Sequence, residues 1–161
     1  MSHSLRDAQE QFANVEALLT RWLKARRELL SRFTEIVVTL EDGITESIDA
    51  RQQALCDLLV DYVSAGHFEV FHTLVKEAES FEDGSNSLAE HLLPSIGDTT
   101  EVILAYEEKY GTGEGYSEKL KRDLSALGEL LESRFVLEDQ LIAGLHGSHR
   151  RLVLQAAPKA S

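Results

Sequence analysis

The chain has 161 residues, of which 43% are hydrophobic and 27% charged, a composition typical of globular rather than disordered proteins. Its formal net charge of −12, from 28 acidic and 16 basic residues, disfavours binding to nucleic acid or to anionic membranes and suits a basic protein partner. No apolar run approaches the roughly 20 residues that cross a bilayer, and the first residues lack the basic-then-apolar pattern of a signal peptide. We therefore expect a cytoplasmic protein.

The first predicted element is a long amphipathic helix. Its apolar positions recur every three or four residues from Phe12 to Leu40, and Glu41-Asp42-Gly43 ends it. Arg26 interrupts this apolar seam. The helix either lies wholly inside one bundle or extends past it to pair with a second chain, so a homodimer is one of two interpretations.

A second helix is predicted to start near Thr45 or Ser47. Its apolar stripe includes Tyr62 and resumes at Phe68, with a kink or pause expected at Ser64-Ala65-Gly66 because glycine interrupts the helical pattern there.

Two more helices are predicted beyond the loop at residues 81–86. The spacing of Ser87-Leu88-Ala89-Glu90 predicts a capping box that opens the third helix, which ends near Tyr110. The glycine-rich residues 111–115 form a connector, after which Ser117 is expected to cap the fourth helix.

Four amphipathic helices joined by short loops predict an all-α fold, an antiparallel, up-down four-helix bundle. No repeat or linker divides the chain, so we expect a single domain over residues 1–161 with residues 152–161 as a frayed tail. Cys56, the only cysteine, lies in an apolar run and is expected to be a small buried hydrophobe.

The sequence offers little support for catalysis or metal binding. Glu69 and His72 have the Glu-x-x-His spacing of di-iron bundles, but the second such pair is missing, and His146 with His149 would bind a metal only adventitiously. The chain has no nucleophile elbow, P-loop or dinucleotide fingerprint. We expect no enzymatic activity, no cofactor and no functional metal, with a metal-binding bundle as the minor alternative.

Polar residues interrupt the apolar face of the second helix between residues 59 and 68. An acid, a hydroxyl, a glycine and a histidine stand where a simple core helix carries leucines. Because burying polar groups without partners costs about 1–3 kcal/mol each, this face is predicted to meet something other than its own core.

In the last helix, Glu138 shares an apolar face with Phe135. A carboxylate near a core needs a cation or several donors, and the candidates are His67, Arg26 and Arg134. The alternative for these residues is an internal polar network that fixes the register of the helices.

Three blocks of sequence stand in order along the chain. They are Arg21-Trp22-Leu23 with Arg26 and Leu29-Leu30, then Leu59-Val60-Asp61-Tyr62 through Ser64-Ala65-Gly66-His67-Phe68, and last Arg134-Phe135 with Leu137-Glu138-Asp139 and Leu141-Ile142. Together they resemble the Rsd/AlgQ family, regulators that bind the housekeeping sigma factor of bacterial RNA polymerase.

This resemblance implies an all-helical anti-sigma factor. Such a protein holds the C-terminal, −35-element-reading domain of the sigma factor and keeps it from core polymerase and promoter DNA. The resemblance places Asp61, Ser64 and Phe68 on the face that contacts sigma, with His67 in the same motif. The other motif residues are implied to line the same region of the bundle; they are Trp22, Arg26, Arg134, Glu138 and Asp139.

The residue types agree with such an interface. Phe68 would supply an apolar anchor, and Asp61 would supply a charge-assisted hydrogen bond to an arginine of a DNA-reading domain. An acidic, partly apolar face suits an adaptor that regulates another signalling protein equally well, and the sequence does not separate the two.

Overall fold

The computed structural model describes residues 2–44, 46–81, 84–111, 118–150 and 153. Helix α1 spans Ser2–Glu41. Helix α2 covers residues 48–81 without a break, as the α-helical Ile48–Ala65, the π-helical turn Gly66–Val70 and the α-helical Phe71–Phe81.

Helix α3 spans Asn86–Tyr110. Helix α4 begins with the α-helical Leu120–Ile142, continues through a second π-helical turn at Ala143–Gly147, and remains helical over residues 148–150. Within these described ranges, no helix combines the length and the apolar character that crossing a lipid bilayer requires.

Neighbouring helices run antiparallel, as the order of their side-chain contacts shows. Trp22 of α1 stacks on Tyr62 of α2, while Glu35, further along α1, binds Arg51 near the start of α2. The same holds for α2 and α3, where Gln52 binds Tyr106 while Phe71 and Ile96 line one groove. It holds for α3 and α4 through the pairs Tyr110–Asp123 and Thr100–Arg134. It holds for α1 and α4 through the pairs Arg26–Asp139 and Glu16–His146. The predicted antiparallel, up-down four-helix bundle is confirmed.

All four helices contribute an apolar stripe to one core. Fully buried members include Leu29, Leu55, Leu59, Leu74, Ile103 and Leu141. Burying a side chain of this size contributes about 1.5–3 kcal/mol, so the stripes supply the main stabilisation of the bundle. Cys56 lies in this core as predicted, and burial raises the pKa of its thiol to about 12.

The ends of α1 and α2 agree with the sequence. Helix α1 ends at Glu41, and Gly43 adopts a φ of +73°, which a glycine tolerates without strain. Helix α2 begins immediately after Ser47, one of the two predicted starts; Thr45, the other, lies outside the described residues.

The capping box predicted for the third helix is wrong. Helix α3 already begins at Asn86, and the Ser87 hydroxyl donates a hydrogen bond to the Gly84 carbonyl at 3.1 Å. Ser87 therefore caps the preceding turn instead of the free amide of Glu90. The predicted cap Ser117 lies outside the described residues, as does the tail at residues 152 and 154–161.

The irregularity expected at Ser64-Ala65-Gly66 takes the form of a wider helical turn. The π-helical turn starts at Gly66, where an added Cβ would lie 3.0 Å from Cζ2 of Trp22 and 3.3 Å from Cζ of Phe71. A glycine is therefore needed for α1 and α2 to approach this closely. Turns of this kind are often found at functional sites.

Candidate protein-binding face

Helix α2 exposes a projecting group of side chains where the π-helical turn begins. Phe68 is 74% exposed, the largest value among the exposed large hydrophobic residues described, and its ring meets that of His67 edge-on at 4.9 Å between centroids. Asp61 is exposed and Ser64 half-buried one to two turns earlier. We call Asp61, Ser64, His67 and Phe68 the α2 ridge. An exposed aromatic side chain rimmed by polar groups is typical of a protein interaction site.

A groove lies on each side of the α2 ridge. The groove towards α1 has a volume of about 300 Å³ and is lined in part by Asp61 and Glu69. The groove towards α3 has a volume of about 410 Å³, with His67 and His72 among its lining residues. Glu69 and His72 thus open onto different grooves, and no group of three potential metal ligands comes together in the described part of the chain.

A buried ionic network centred on Glu138 lies behind the ridge. The Glu138 carboxylate is fully buried; Oε2 accepts a hydrogen bond from Nε of Arg134 at 2.8 Å. Oε1 accepts from Nη2 of Arg26 at 3.0 Å and from the Tyr62 hydroxyl at 2.5 Å. The expectation that cations meet Glu138 is confirmed for both arginines, whereas His67, the third candidate, lies on the surface.

Burial raises the pKa values of two groups in this network. Removal from water raises the pKa of Glu138 above its ordinary value, and the charges of Arg134 and Arg26 oppose that shift. Burial also raises the pKa of Tyr62 far above its ordinary value, and the neighbouring carboxylate raises it further. The Tyr62 hydroxyl therefore remains a hydrogen-bond donor.

Arg26 connects the buried network with the surface. Its Nη1 donates to Oδ1 of Asp139 at 2.7 Å, and the Asp139 side chain is 61% exposed. The guanidinium also lies 4.6 Å from the centre of the Phe135 ring and 5.7 Å from that of Trp22, within the range of cation–π attraction. The one arginine in the apolar seam of α1 therefore holds α4 against that helix.

Arg134 extends the network to α3. Its side chain is fully buried, and Nη1 donates to the hydroxyls of Thr100 at 2.7 Å and Thr99 at 3.0 Å. Together with the contacts of Glu138, these bonds join all four helices in the plane of the α2 ridge.

Trp22 fixes α1 against α2 at the start of the wide turn. Its indole Nε1 donates to the backbone carbonyl of Tyr62 at 3.1 Å, and the two rings stack with centroids 4.7 Å apart. Phe71 packs edge-on against the same indole at 5.6 Å. Trp22 is 3% exposed, so it acts on the ridge through helix position.

The structure divides the predicted site residues into two groups. The exposed or half-buried group is Asp61, Ser64, His67, Phe68 and Asp139. The buried or nearly buried group is Trp22, Arg26, Arg134 and Glu138, with Arg26 12% exposed at its side chain. A residue without exposed surface influences a partner only by positioning the helices, so the buried group forms the internal polar network that was the alternative interpretation.

Sequence reasoning missed the polar role of Tyr62. The residue fits the apolar stripe of α2, and its ring is indeed buried, but its hydroxyl accepts from Nε of Arg26 at 3.1 Å and donates to Glu138. The sequence did contain a signal for this role: a buried tyrosine needs a hydrogen-bond partner, and the last helix carries a carboxylate at a core position.

A second buried polar cluster, also missed, joins α1, α2 and α4. Glu77 is fully buried, and its two carboxylate oxygens lie 2.8 Å from Nδ1 of His146 and 2.8 Å from Nδ1 of His149. Glu16 contacts the other ring nitrogen of His146, and Phe12 stacks on that ring at 4.1 Å. The sequence signal for this cluster was an acidic residue, Glu77, at an apolar position of α2. The second π-helical turn, which contains His146, was not predicted from the sequence.

Comparison with known proteins assigns this bundle to a family. The chain belongs to the Rsd/AlgQ family, described as regulators of the RNA polymerase sigma(70) subunit, whose family model matches residues 1–146. The resemblance seen in the three sequence blocks is thereby confirmed.

Similar proteins carry the name Regulator of sigma D. The protein of that name from Yersinia pseudotuberculosis is 29% identical over 166 residues, which cover 100% of this chain and 98% of the relative. The one from Salmonella paratyphi A is 32% identical over 148 residues, covering 88% of this chain and 90% of the relative. No solved structure matches the chain.

Proposed function

We propose that the protein is a cytoplasmic anti-sigma factor that binds the C-terminal, −35-element-reading domain of the housekeeping sigma factor. Bound in this way, the sigma domain is withheld from core RNA polymerase and from promoter DNA. Family membership supports regulation of sigma-70 activity. The observation that carries the proposal for this face is Phe68, a large aromatic side chain left 74% exposed on a helix whose opposite side is packed.

Phe68 is the apolar anchor of the proposed interface. Covering a side chain of this size contributes about 1.5–3 kcal/mol, and interface energies are concentrated in a few such anchors. The grooves on either side give a partner helix space to approach the ring. We therefore expect Phe68 to insert between apolar side chains of the sigma domain.

Charge supports the same partner. A helix-turn-helix domain uses basic side chains to contact phosphates and bases, and Asp61 is an exposed carboxylate placed to pair with an arginine. The net charge of −12 attracts a basic domain over long range and raises the encounter rate. Because DNA needs the same basic groups, binding to this protein and binding to the promoter exclude each other.

The buried network supports the proposal by making the ridge rigid. Glu138 and Arg134 link the four helices behind the ridge, so little conformational freedom has to be lost when the partner binds. The proposed activity is stoichiometric binding, which requires no catalytic group.

The test is a calorimetric titration of the isolated C-terminal sigma domain with matched variants. Phe68→Ala and Asp61→Ala are each expected to weaken binding by at least about tenfold, the loss typical of an interface hot spot. The matched controls Val102→Ala and Asp98→Ala, on the exposed side of α3, should leave the affinity within about twofold. Unchanged binding in both ridge variants would remove the ridge from the interface, and capture of another signalling protein without sigma would favour an adaptor instead.

A further inference from the structure

The outer side of α1 carries apolar residues that the bundle does not use. Leu30 is 37% exposed and Val38 is 48% exposed, and both line an open groove that also includes Thr34. The opposite side of the same helix supplies the core, through Leu29 at 0% and Ile36 at 1% exposure. This outer side is therefore an unpartnered helix face.

Five exposed positions on this face form one stripe, which we call the α1 stripe. In chain order they are Arg27, Leu30, Thr34, Val38 and Glu41, separated by three, four, four and three residues. Such steps keep side chains on one side of an α-helix.

The α1 stripe is symmetric in position and complementary in charge about Thr34. Leu30 lies four residues before Thr34 and Val38 four residues after it; Arg27 lies seven residues before and Glu41 seven residues after. A helix with this pattern fits an antiparallel copy of itself, because a two-fold axis at Thr34 makes every contact occur twice.

We propose that two copies of the chain associate through the α1 stripe in antiparallel orientation. Leu30 of one copy then lies against Val38 of the other, and Arg27 faces Glu41. A parallel pair would instead place Arg27 against Arg27 and Glu41 against Glu41, which like-charge repulsion disfavours. Among the residues that the structure describes, neither Arg27 nor Glu41 forms an ion pair within its own chain, so both charges are available.

The negative charge of Glu35, which lies beside the α1 stripe, is already balanced within the same chain. Glu35 binds Nη1 of Arg51 at 2.7 Å and lies 3.7 Å from Nη1 of Arg32, so its carboxylate adds little repulsion between the copies. From Arg27 to Glu41 the stripe is about 21 Å long, at about 1.5 Å per residue. Such a small interface, opposed by a net charge of −12 on each copy, gives a weak dimer that forms at high protein concentration.

Association through the α1 stripe leaves the α2 ridge of both copies uncovered by stripe residues, since the two sets lie on different helices. The proposed dimer and the proposed sigma contact thus use different residues, so each can be tested with variants that leave the residues of the other unchanged.

The experiment is sedimentation equilibrium of the full chain from micromolar to millimolar concentration at physiological ionic strength. The average mass is expected to rise from one chain towards two. Arg27→Glu and Glu41→Arg should each weaken association at least about tenfold, and the combined exchange should restore it to within about threefold, because the opposite charges face each other again. Arg6→Glu and Glu101→Arg alter the net charge equally at exposed positions outside the stripe and should change association less than about twofold.

A further variant tests the apolar part of the stripe. Val38→Asp should abolish association while far-ultraviolet circular dichroism and the thermal midpoint stay near those of the original chain, because the side chain is exposed in the single copy. A single-chain mass at all concentrations would overturn the proposal. So would a double exchange that associates no better than the single variants.

Discussion

The Tyr62 hydroxyl donates a 2.5 Å hydrogen bond to Oε1 of Glu138, between two helices and 76 residues apart in the chain. The same oxygen accepts from Arg26, and the other carboxylate oxygen accepts from Arg134. This short contact is the centre of the network that fixes the helices behind the α2 ridge. The ridge and its support are thus two parts of one arrangement: the ridge lies at the surface, and the support behind it is largely buried.

Replacing Glu138 by alanine should destabilise the bundle by about 3–5 kcal/mol, because the buried guanidinium of Arg134 loses its counter-charge and that of Arg26 loses one of its two. Urea unfolding followed by circular dichroism measures the change. The neighbouring Asp139→Ala is the matched control: its side chain is 61% exposed and, among the residues that the structure describes, pairs only with Arg26, so its cost should stay within about 1 kcal/mol. Equal losses in the two variants would contradict the assigned role of Glu138.

Valine in place of Gly66 should destabilise the protein by about 1–3 kcal/mol, since the new side chain would press against Trp22 and overpack a close helix contact. Gly97→Val on α3 is the control, because an added Cβ there meets no atom within 4 Å. That variant should be neutral or gain a few tenths of a kcal/mol from the higher helix propensity of valine. The measurement is the free energy of unfolding of both variants. An unchanged value for Gly66→Val would show that a glycine is not required for the close approach of Trp22.

Stability should fall as the pH rises above about 6.5, and His146 is the cause. Although burial acts in the opposite direction, contacts with Glu77 and Glu16 raise the pKa of His146 above its ordinary value of 6.5. A group whose pKa is raised on folding stabilises fully below the unfolded pKa, and that contribution is lost as the pH rises through the folded pKa. Urea midpoints measured at increasing pH, starting from about 6.5, should decline, and His146→Gln should make this decline with pH shallower. An unchanged slope in that variant would assign the effect to another group.

Affinity for the C-terminal sigma domain should decrease as salt is added, because screening weakens attraction between exposed charges beyond about 8 Å at physiological ionic strength. Asp61→Asn should bind more weakly and show a shallower dependence on salt, since it removes one charge from the contact. Asp98→Asn on α3 carries the same change of net charge away from the ridge and serves as the control. Identical salt slopes for the two variants would exclude a direct ion pair of Asp61.

The bundle could be predicted because its main determinant is local. Apolar residues at steps of three and four define each helix, and short loops leave antiparallel packing as the simplest arrangement. The end of α1 could be predicted because its determinant is also local: Gly43 adopts a positive φ, which glycine tolerates. The π-helical turns were beyond this reasoning, since the one at Gly66 depends on the indole of Trp22, 44 positions earlier in the sequence.

The sequence identified the residues of the candidate site, but it did not separate the exposed residues from those of the buried network. Arg134, Glu138 and Asp139 follow one another within six positions, and all three are charged. The first two are fully buried and the third is exposed, although Glu138 and Asp139 both bind Arg26 of α1. The partners of Glu77 were out of reach for a similar reason, because His146 is 69 residues away.

The most direct test of the central claim is a competition experiment in which the protein is titrated into a complex of the C-terminal sigma domain with a −35-element duplex, followed by fluorescence anisotropy of labelled DNA. The account predicts that the duplex is released as a one-to-one protein–sigma complex forms, and that Phe68→Ala releases it at least about tenfold less effectively. If the duplex stays bound at saturating protein, or if no protein–sigma complex forms at low ionic strength, the claim is contradicted.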